Sequence, residues 1–448
     1  NYVKWDQRLA LDVQYVNNVS FLGDIKIIFQ TIKKVVCRED VSPDSEAADE
    51  EYLDIERGGG SPQMNSLKTP YFVINKDFLD EELQKLKKAL QAFWGNYIIG
   101  YSYKTNAFPW VIEYFRNNGC YAEVVSDDEY ELAKSIGSDR VIYNGVAKSK
   151  ETFLEAVRKH YIVNVDAEYE INWLTELEPN NYEVGVRVNF DLESKCPGQT
   201  QCGEDGERFG FCYENGELKR VIDKIEEKGV KVVGLHLHKS SKTRMPDIYR
   251  AIAEAAVEIS GKYSLKLKYV DIGGGFFGGL NSKPQFPEYF DMIAGILKQR
   301  FNHEETTLIV EPGMALIGAA VDYYSSVVDV KRTTRNTFIV TDGSRTQIDP
   351  LMTKSSYFKD IVRNGNESRE VLARQIISGF TCMEHDRLFE VSDDLEILPN
   401  DQIVYHKVGA YTMCLSPLFI KWFPAIYVKE GENIIKARDR WTVVEYKS

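Results

Sequence analysis

From Thr69 onward, short apolar runs alternate with longer stretches whose apolar residues recur at helical spacing. Residues 79–93 carry the rhythm of a helix, and 97–100 read as a buried strand. The pairing then repeats: helix over 110–116 and strand over 121–125, helix over 128–136 and strand over 141–143, helix over 150–159 and strand over 161–165. Further strands are expected at 184–188, 232–237, 269–272 and 307–310. Strands alternating with helices pair in parallel through helical crossovers. About eight such repeats over ~250 residues suit a closed barrel better than an open sheet. After Gly318 the rhythm shifts to β-type alternation at 322–330, 337–341, 403–408 and 425–428. The expected fold is therefore α/β: a (β/α)8 TIM-type barrel over 67–318 and a mostly antiparallel β domain over 319–448. A strand near 69–75 could join the second domain.

The first 66 residues differ in character. Residues 1–41 are amphipathic and mildly basic, and nine Asp or Glu fall between Glu39 and Glu56. With Gly58-Gly59-Gly60-Ser61-Pro62 behind them, residues 42–66 cannot bury a core and read as a flexible linker. Met64 stands where an independent coding unit could start, and the Gly-Gly-Gly-Ser run reads equally as an engineered joint. The chain begins at Asn1 without a methionine, so its true start is expected upstream.

Composition narrows the function. The 448 residues are 43% apolar and 12% aromatic, ample for a large core. A net charge of −13 argues against a nucleic-acid partner. Seven cysteines (Cys37, Cys120, Cys196, Cys202, Cys212, Cys382, Cys414) lack CxxC spacing and form no disulfide framework, which suits a reducing, cytoplasmic setting. A Cys196–Cys202 bridge has no support beyond proximity in sequence. No apolar stretch reaches the ~18 residues of a spanning helix.

Lys104 stands just past the run 97–100, where an ammonium is costly to desolvate. Burial is expected to lower its pKa, and a neutral lysine forms a Schiff base with an aldehyde. Gly273-Gly274-Gly275 follows the strand ending at Ile272 and lets the backbone approach an anion. Lys104, Ser126, Asn144, Arg187, His238 and Glu311 all fall at or just past strand ends, on one expected rim. His236 and His238 share a strand face. A flat imidazole can stack on a cofactor ring, and no nearby spacing supplies further ligands for a metal, so none is expected. Glu311 ends an apolar strand and needs a cationic partner, for which a protonated pyridine nitrogen would serve.

Tyr101-Ser102-Tyr103-Lys104-Thr105-Asn106, Tyr121-Ala122-Glu123-Val124-Val125-Ser126, Arg208-Phe209-Gly210-Phe211, the segment from Gly379 to Asp386 and Val408-Gly409-Ala410-Tyr411 occur in order. On these motifs the chain from about Leu67 resembles the fold-type III pyridoxal-phosphate (PLP) decarboxylases of the ornithine and diaminopimelate group, whose fold is alanine racemase-like. Within that group it is most similar to the decarboxylase domain of microcin C maturation. The resemblance implies PLP as cofactor, Lys104 as the lysine binding its aldehyde, His238 stacked on its ring and Glu311 paired with its pyridinium nitrogen. It implies phosphate contacts from Ser241, Gly273, Gly274, Gly275 and Tyr411, and makes Arg187 a core-facing arginine of the site. It makes Cys382 the acid that reprotonates the substrate carbon, reaching the site from the other subunit of a homodimer. Racemases of the same fold commonly use an arginine where Glu311 stands, and a catalytically idle relative would not be expected to keep Lys104, Glu311, Cys382 and Tyr411 together.

Two positions depart from the family pattern. Met314 stands where an arginine often assists phosphate or carboxylate binding, and Lys239 or Arg244 is expected to compensate. Met383 follows the motif cysteine where diamine-forming members carry an acid that grips the distal ammonium. This disfavours free ornithine, lysine and diaminopimelate unless Glu384 faces inward. An amino acid joined to a carrier, sugar or nucleotide is the expected alternative. Separately, Trp5 to Val16 with Ser20 and Asp24 to Ile28 is similar to the C-terminal tail of polyprenyl-phosphate sugar-1-phosphate transferases. That family's membrane helix and Asp-Glu pair do not occur here. No transfer activity is assigned, and membrane contact is expected only through a missing transferase part. The likeness points to surface-polysaccharide or natural-product synthesis.

Overall fold

The computed structural model describes residues 67–178 and 180–448. The transferase-like tail over 1–41 and the linker over 42–66 lie outside the described residues. Strand β1 (Tyr71–Asn75) leads directly into helix α1 (Lys76–Phe93), capped by the Asn75 side chain accepting the Phe78 N–H. Eight parallel strands follow: β2 (Tyr97–Ser102), β3 (Tyr121–Val124), β4 (Val141–Tyr143), β5 (Ile162–Val165), β6 (Glu183–Asn189), β7 (Lys231–His236), β8 (Tyr269–Asp271) and β9 (Thr307–Val310). The ring closes where Leu308 of β9 faces Tyr97 of β2.

The outer layer is α2 (Pro109–Asn117), α3 (Asp127–Ser135), α4 (Lys150–Arg158), α5 (Glu168–Trp173), α6 (Glu217–Glu226), α7 (Pro246–Lys262) and α8 (Phe286–Leu297). Pro109 and Pro246 open α2 and α7, where a missing N–H costs nothing, and Ser126 and Ser149 cap α3 and α4. Only a four-residue helix, Met314–Ile317, follows β9; α1 packs beside α8 on the outside of the ring. Helices α5 to α8 were not among the assigned patterns.

The barrel floor is filled by Ile142, Val233, Tyr269 and Ile309. The Tyr269 ring lies across β7 and excludes any side chain at Gly234, where a Cβ would come within 2.0 Å of it. Its hydroxyl starts a polar ladder up the barrel axis. Tyr269 donates to Asn164 Oδ1 (2.8 Å), and Asn164 Nδ2 donates to Asn144 Oδ1 (2.8 Å). The ladder carries buried polar groups upward with their hydrogen bonds satisfied, which burial requires.

The second domain contains β10 (Val321–Arg332), β11 (Thr337–Thr341), β12 (Lys359–Val362), β13 (Gln375–Ser378), β14 (Arg387–Val391), β15 (Gln402–Tyr405), β16 (Ala425–Glu430) and β17 (Asn433–Arg438). The sheet runs β14-β13-β11-β10-β1-β16-β17, with β15 on β10 and β12 on β15. Pairing is antiparallel except for β1 with β16 and β11 with β13. β1 thus lies between the two ends of this domain, Tyr71 facing Tyr324 on one side and Ala425 on the other. The sequence reading did not mark β12, β13, β14 or β17, most of whose residues are partly exposed or, in β13, too few to show a period. Among the described residues no helix is long and apolar enough to cross a membrane. The six described cysteines are free, Cys196 and Cys202 included.

Candidate active site

The C-terminal ends of the barrel strands converge on a cluster of carboxylates and cations. Lys104 lies on a tight turn two residues past β2. Its Nζ is 3.6 Å from Glu123 Oε2, and its side chain keeps 39% of its surface accessible. The neutral lysine expected from burial is not what the structure holds. Burial does press toward deprotonation, but the charges of Glu123 and Glu311 and the nearby Tyr411 phenol outweigh it, and the ammonium titrates above its usual value. Glu123 lies within the Tyr121–Ser126 motif, where the sequence assigns it no role. It is 1% exposed, takes the Ser102 hydroxyl at 2.6 Å and the Asn144 amide at 2.9 Å, and faces Lys104.

Glu311 begins the loop after β9 and sits at the top of the ladder. Asn144 Nδ2 donates to its Oε1 at 2.6 Å, and His236 Nε2 lies 3.2 Å from its Oε2. A carboxylate only accepts, so this imidazole nitrogen carries the proton. Beside it Asp271 is fully buried. Burial, and then the Glu311 charge, push the Asp271 carboxyl well above its usual range. Burial also opposes ionisation of Glu311, yet His236, the Asp271 hydrogen bond and Lys104 outweigh it and hold its carboxyl below the usual range. Two carboxyls this close cannot both ionise cheaply, and the fold gives the proton to Asp271 and the charge to Glu311.

The expectation that no ligand set surrounds the histidines needs correction. His236, Asp271 and Glu311, at or just past the ends of three strands, bring potential ligand atoms within 4.8 Å of one another. Sequence spacing cannot show such a set. The His236 nitrogen nearest Glu311 is already engaged with it, and the trio serves as a proton-sharing support for the Glu311 charge.

His238 lies two residues past β7, half-buried, its ring parallel to that of His236 at 12° and 6.4 Å between centroids. Burial first, then Lys104 and Arg187, hold its pKa well below the usual value. Its Nδ1 accepts the Gly274 N–H at 3.2 Å, so a neutral ring carries its proton on Nε2. Gly273 and Gly275 take φ of +72° and +91°, and a Cβ on Gly274 would lie 2.0 Å from the Glu311 carbonyl oxygen. Only glycine permits this turn to nestle between His238 and Glu311.

Arg187 lies two residues before the end of β6, paired with Asp166 at 3.2 Å and lying over the Phe209 ring at 4.6 Å. The Ser126 hydroxyl is occupied as the cap of α3, accepting the Glu129 N–H. Burial raises the Glu129 carboxyl to about 7, partly offset by the Val125 N–H it accepts. Ser241 accepts the Arg244 N–H at 3.0 Å. Lys239 does not stand in for an arginine at position 314, because it is held by Glu207 (3.2 Å) and Asn189 (3.1 Å).

The β domain reaches this rim through the segment 409–414. Asn106 Nδ2 donates to the Gly409 carbonyl, Tyr411 N–H to the Thr105 carbonyl (2.9 Å), and the Cys414 thiol to the Lys104 and Thr105 carbonyls. Tyr411 is thereby fastened beside Lys104. The Gly379–Asp386 loop behaves differently. Buried Asp386 holds it by accepting from Ser344, Thr381 and the Arg345 N–H, while Cys382 and Glu384 face solvent. Glu384 is 98% exposed in the single chain, its carboxylate 3.5 Å from Arg387. Among the described residues, no hydrogen bond or ion pair joins Cys382, Met383 or Glu384 to Lys104, His238 or Glu311.

The site's residues fit a pyridine cofactor with a phosphate tail. A lysine, a buried carboxylate and a neutral flat imidazole converge, and a glycine turn is kept free of side chains. Residues 78–318, more than half of the chain, match the family described as pyridoxal-dependent decarboxylase, pyridoxal binding domain. The chain belongs to the pyridoxal-dependent decarboxylases. This decarboxylase is 28% identical over 390 residues to a probable chloroplastic diaminopimelate decarboxylase of rice, covering 83% of this chain and 77% of that protein. It is 26% identical over 359 residues to a diaminopimelate decarboxylase of Aquifex aeolicus, covering 78% and 83%. The diaminopimelate decarboxylase structure from M. jannaschii superposes with a TM-score of 0.75 at 22% identity, covering 86% of this chain and 92% of that one. The arginine decarboxylase of Paramecium bursaria Chlorella virus gives 0.68 at 18% identity, covering 82% and 97%. The decarboxylase is thus a fold-type III, PLP-dependent carboxy-lyase.

Proposed function

We propose that this decarboxylase removes the α-carboxylate of an amino acid whose far end carries no free ammonium, as in a conjugated amino acid of surface-polysaccharide or natural-product synthesis. The observation that carries this reading is Met383, a thioether at the position where diamine-forming members carry the acid that grips a cation. A methionine cannot compensate a buried ammonium. The likeness to the decarboxylase domain of microcin C maturation supports a conjugate.

Bound PLP supplies the electron sink that accepts the pair left when the C–CO2 bond breaks. Lys104 is the residue that would hold its aldehyde. Glu311, kept ionised by His236, Asp271 and Lys104, would hold a proton at the pyridine nitrogen. His238, neutral and flat, would support the ring without opposing that positive charge. Ser241, the Gly273–Gly275 turn and Tyr411 receive the phosphate, and Arg187 lines the site. The Cys382 thiol of a second copy delivers a proton to the carbon that lost CO2. The enzyme works as a cytoplasmic homodimer with shared sites.

The test is CO2 release from purified protein showing the ~420 nm band of lysine-bound cofactor. It is measured across free ornithine, lysine and diaminopimelate and across the same amino acids acylated or nucleotide-linked at the far end. Turnover of a capped amino acid well above its free parent supports the reading; preference for a free diamino acid sinks it.

A further inference from the structure

The strongest uncommitted cation around the glycine turn is Arg244. Lys104 faces Glu123, Arg187 is paired with Asp166, and Lys239 with Glu207. Among the described residues, Arg244 has no carboxylate within ion-pair distance. Its Nη1 instead lies 2.8 Å from the Met314 sulfur, a weak and neutral acceptor that leaves the charge uncompensated. Its guanidinium lies 5.5 Å from the centre of the Phe277 ring, two residues past the turn. The backbone that places it is fixed. Arg244 takes φ +53°, its N–H is held by Ser241 Oγ at 3.0 Å, and its carbonyl accepts the Tyr289 hydroxyl at 2.7 Å. Tyr289 in turn packs edge-on against Tyr249 and Phe276, and Tyr249 donates to the Gly274 carbonyl at 3.1 Å. A left-handed backbone at a long side chain is disfavoured. Here it turns a loop from β7 back toward loops from β8 and β9.

We propose that Arg244 is the phosphate anchor of bound PLP, supplying from the β7 loop the guanidinium that position 314 does not carry. The inference rests on the PLP reading above. A phosphate dianion in this turn needs a cation, and a guanidinium presents a fork that meets phosphate oxygens in pairs. Met314 is then the soft surface along which that side chain lies.

The test is titration of apo-protein with PLP and, separately, with pyridoxal, which has the same ring and aldehyde but no phosphate. Arg244→Met is expected to raise the Kd for PLP about 30-fold, the order of one lost charge-assisted contact. The Kd for pyridoxal should stay within about twofold. Arg244→Lys should fall between, and adding Met314→Arg to Arg244→Met should recover most of the PLP affinity. Thermal melts of each apo-protein separate misfolding from lost affinity. An unchanged PLP Kd with a raised substrate KM would assign Arg244 to a substrate carboxylate and overturn the inference, leaving the decarboxylase reading intact. Equal losses for PLP and pyridoxal would overturn it too, by making the role structural. A wild-type protein that takes up neither compound would instead sink the PLP reading itself.

Discussion

The barrel rim and the Gly379–Asp386 loop both carry residues of the candidate site, yet they are built in opposite ways. At the rim, Glu123, Asn144, Asp271 and Glu311 are all 5% exposed or less, and each is tied to a neighbouring strand by a hydrogen bond. In the loop, buried Asp386 organises the backbone so that Cys382 and Glu384 stand in solvent. A single chain therefore preorganises everything needed to hold a charged ring, and only presents the thiol. A thiol in open water cannot direct a proton to one carbon. Under the proposed function a second copy covers it.

The sharpest way to break this contrast is to disable the two regions in separate chains. Lys104→Ala is expected to abolish turnover and the cofactor band while leaving the fold intact, because a rim lysine 39% accessible contributes little to packing. Mixed with Cys382→Ala under subunit exchange, it should recover activity to roughly a quarter of wild type, since random pairing leaves one intact site in about half the dimers. Exchange without recovery would place Cys382 in its own chain's site or in none.

A smaller effect sharpens the rim half. Glu311→Gln should still bind PLP but lose about 3–4 kcal/mol of transition-state stabilisation, because a neutral amide cannot keep the ring nitrogen protonated. Single-turnover decarboxylation measures this, and an unchanged rate would mean that Glu311 does not face the ring.

The smallest effect is a pH dependence. The Glu129 carboxyl is raised from 4.5 to about 7 in the folded state. A raised folded pKa contributes stability that is complete below the unfolded value and is lost as pH rises through the folded one. Wild type should therefore melt above Glu129→Gln at about pH 5 and lose that margin by about pH 8. A difference independent of pH would show that Glu129 is ionised throughout.

Much of this molecule is legible along the chain, and particular residues show where legibility stops. The Val/Ile runs of β2 to β9 mark themselves because both faces of a barrel strand are buried. Lys104, His238 and Glu311 mark themselves as polar groups just past such runs. Helices α6, α7 and α8 went unassigned although each is amphipathic, and β12 to β14 and β17 went unseen because partial exposure or short length blurs the period of two. Glu123 is the instructive miss, since a lone acid inside Tyr-Ala-Glu-Val-Val gives no sign of which way the pleat will turn it.

By itself the sequence determined the barrel, the second domain and the strand ends that carry chemistry, because periodicity and the cost of burying a charge are local and act on each segment separately. The tertiary structure decided what those groups do to one another. It raised Lys104 rather than neutralising it, gave Asp271 the proton and Glu311 the charge, and spent Lys239 on Glu207 while leaving Arg244 uncommitted. Those outcomes depend on close approach between residues far apart in sequence, and electrostatic interaction in a poorly screened interior turns on such distances rather than on position along the chain.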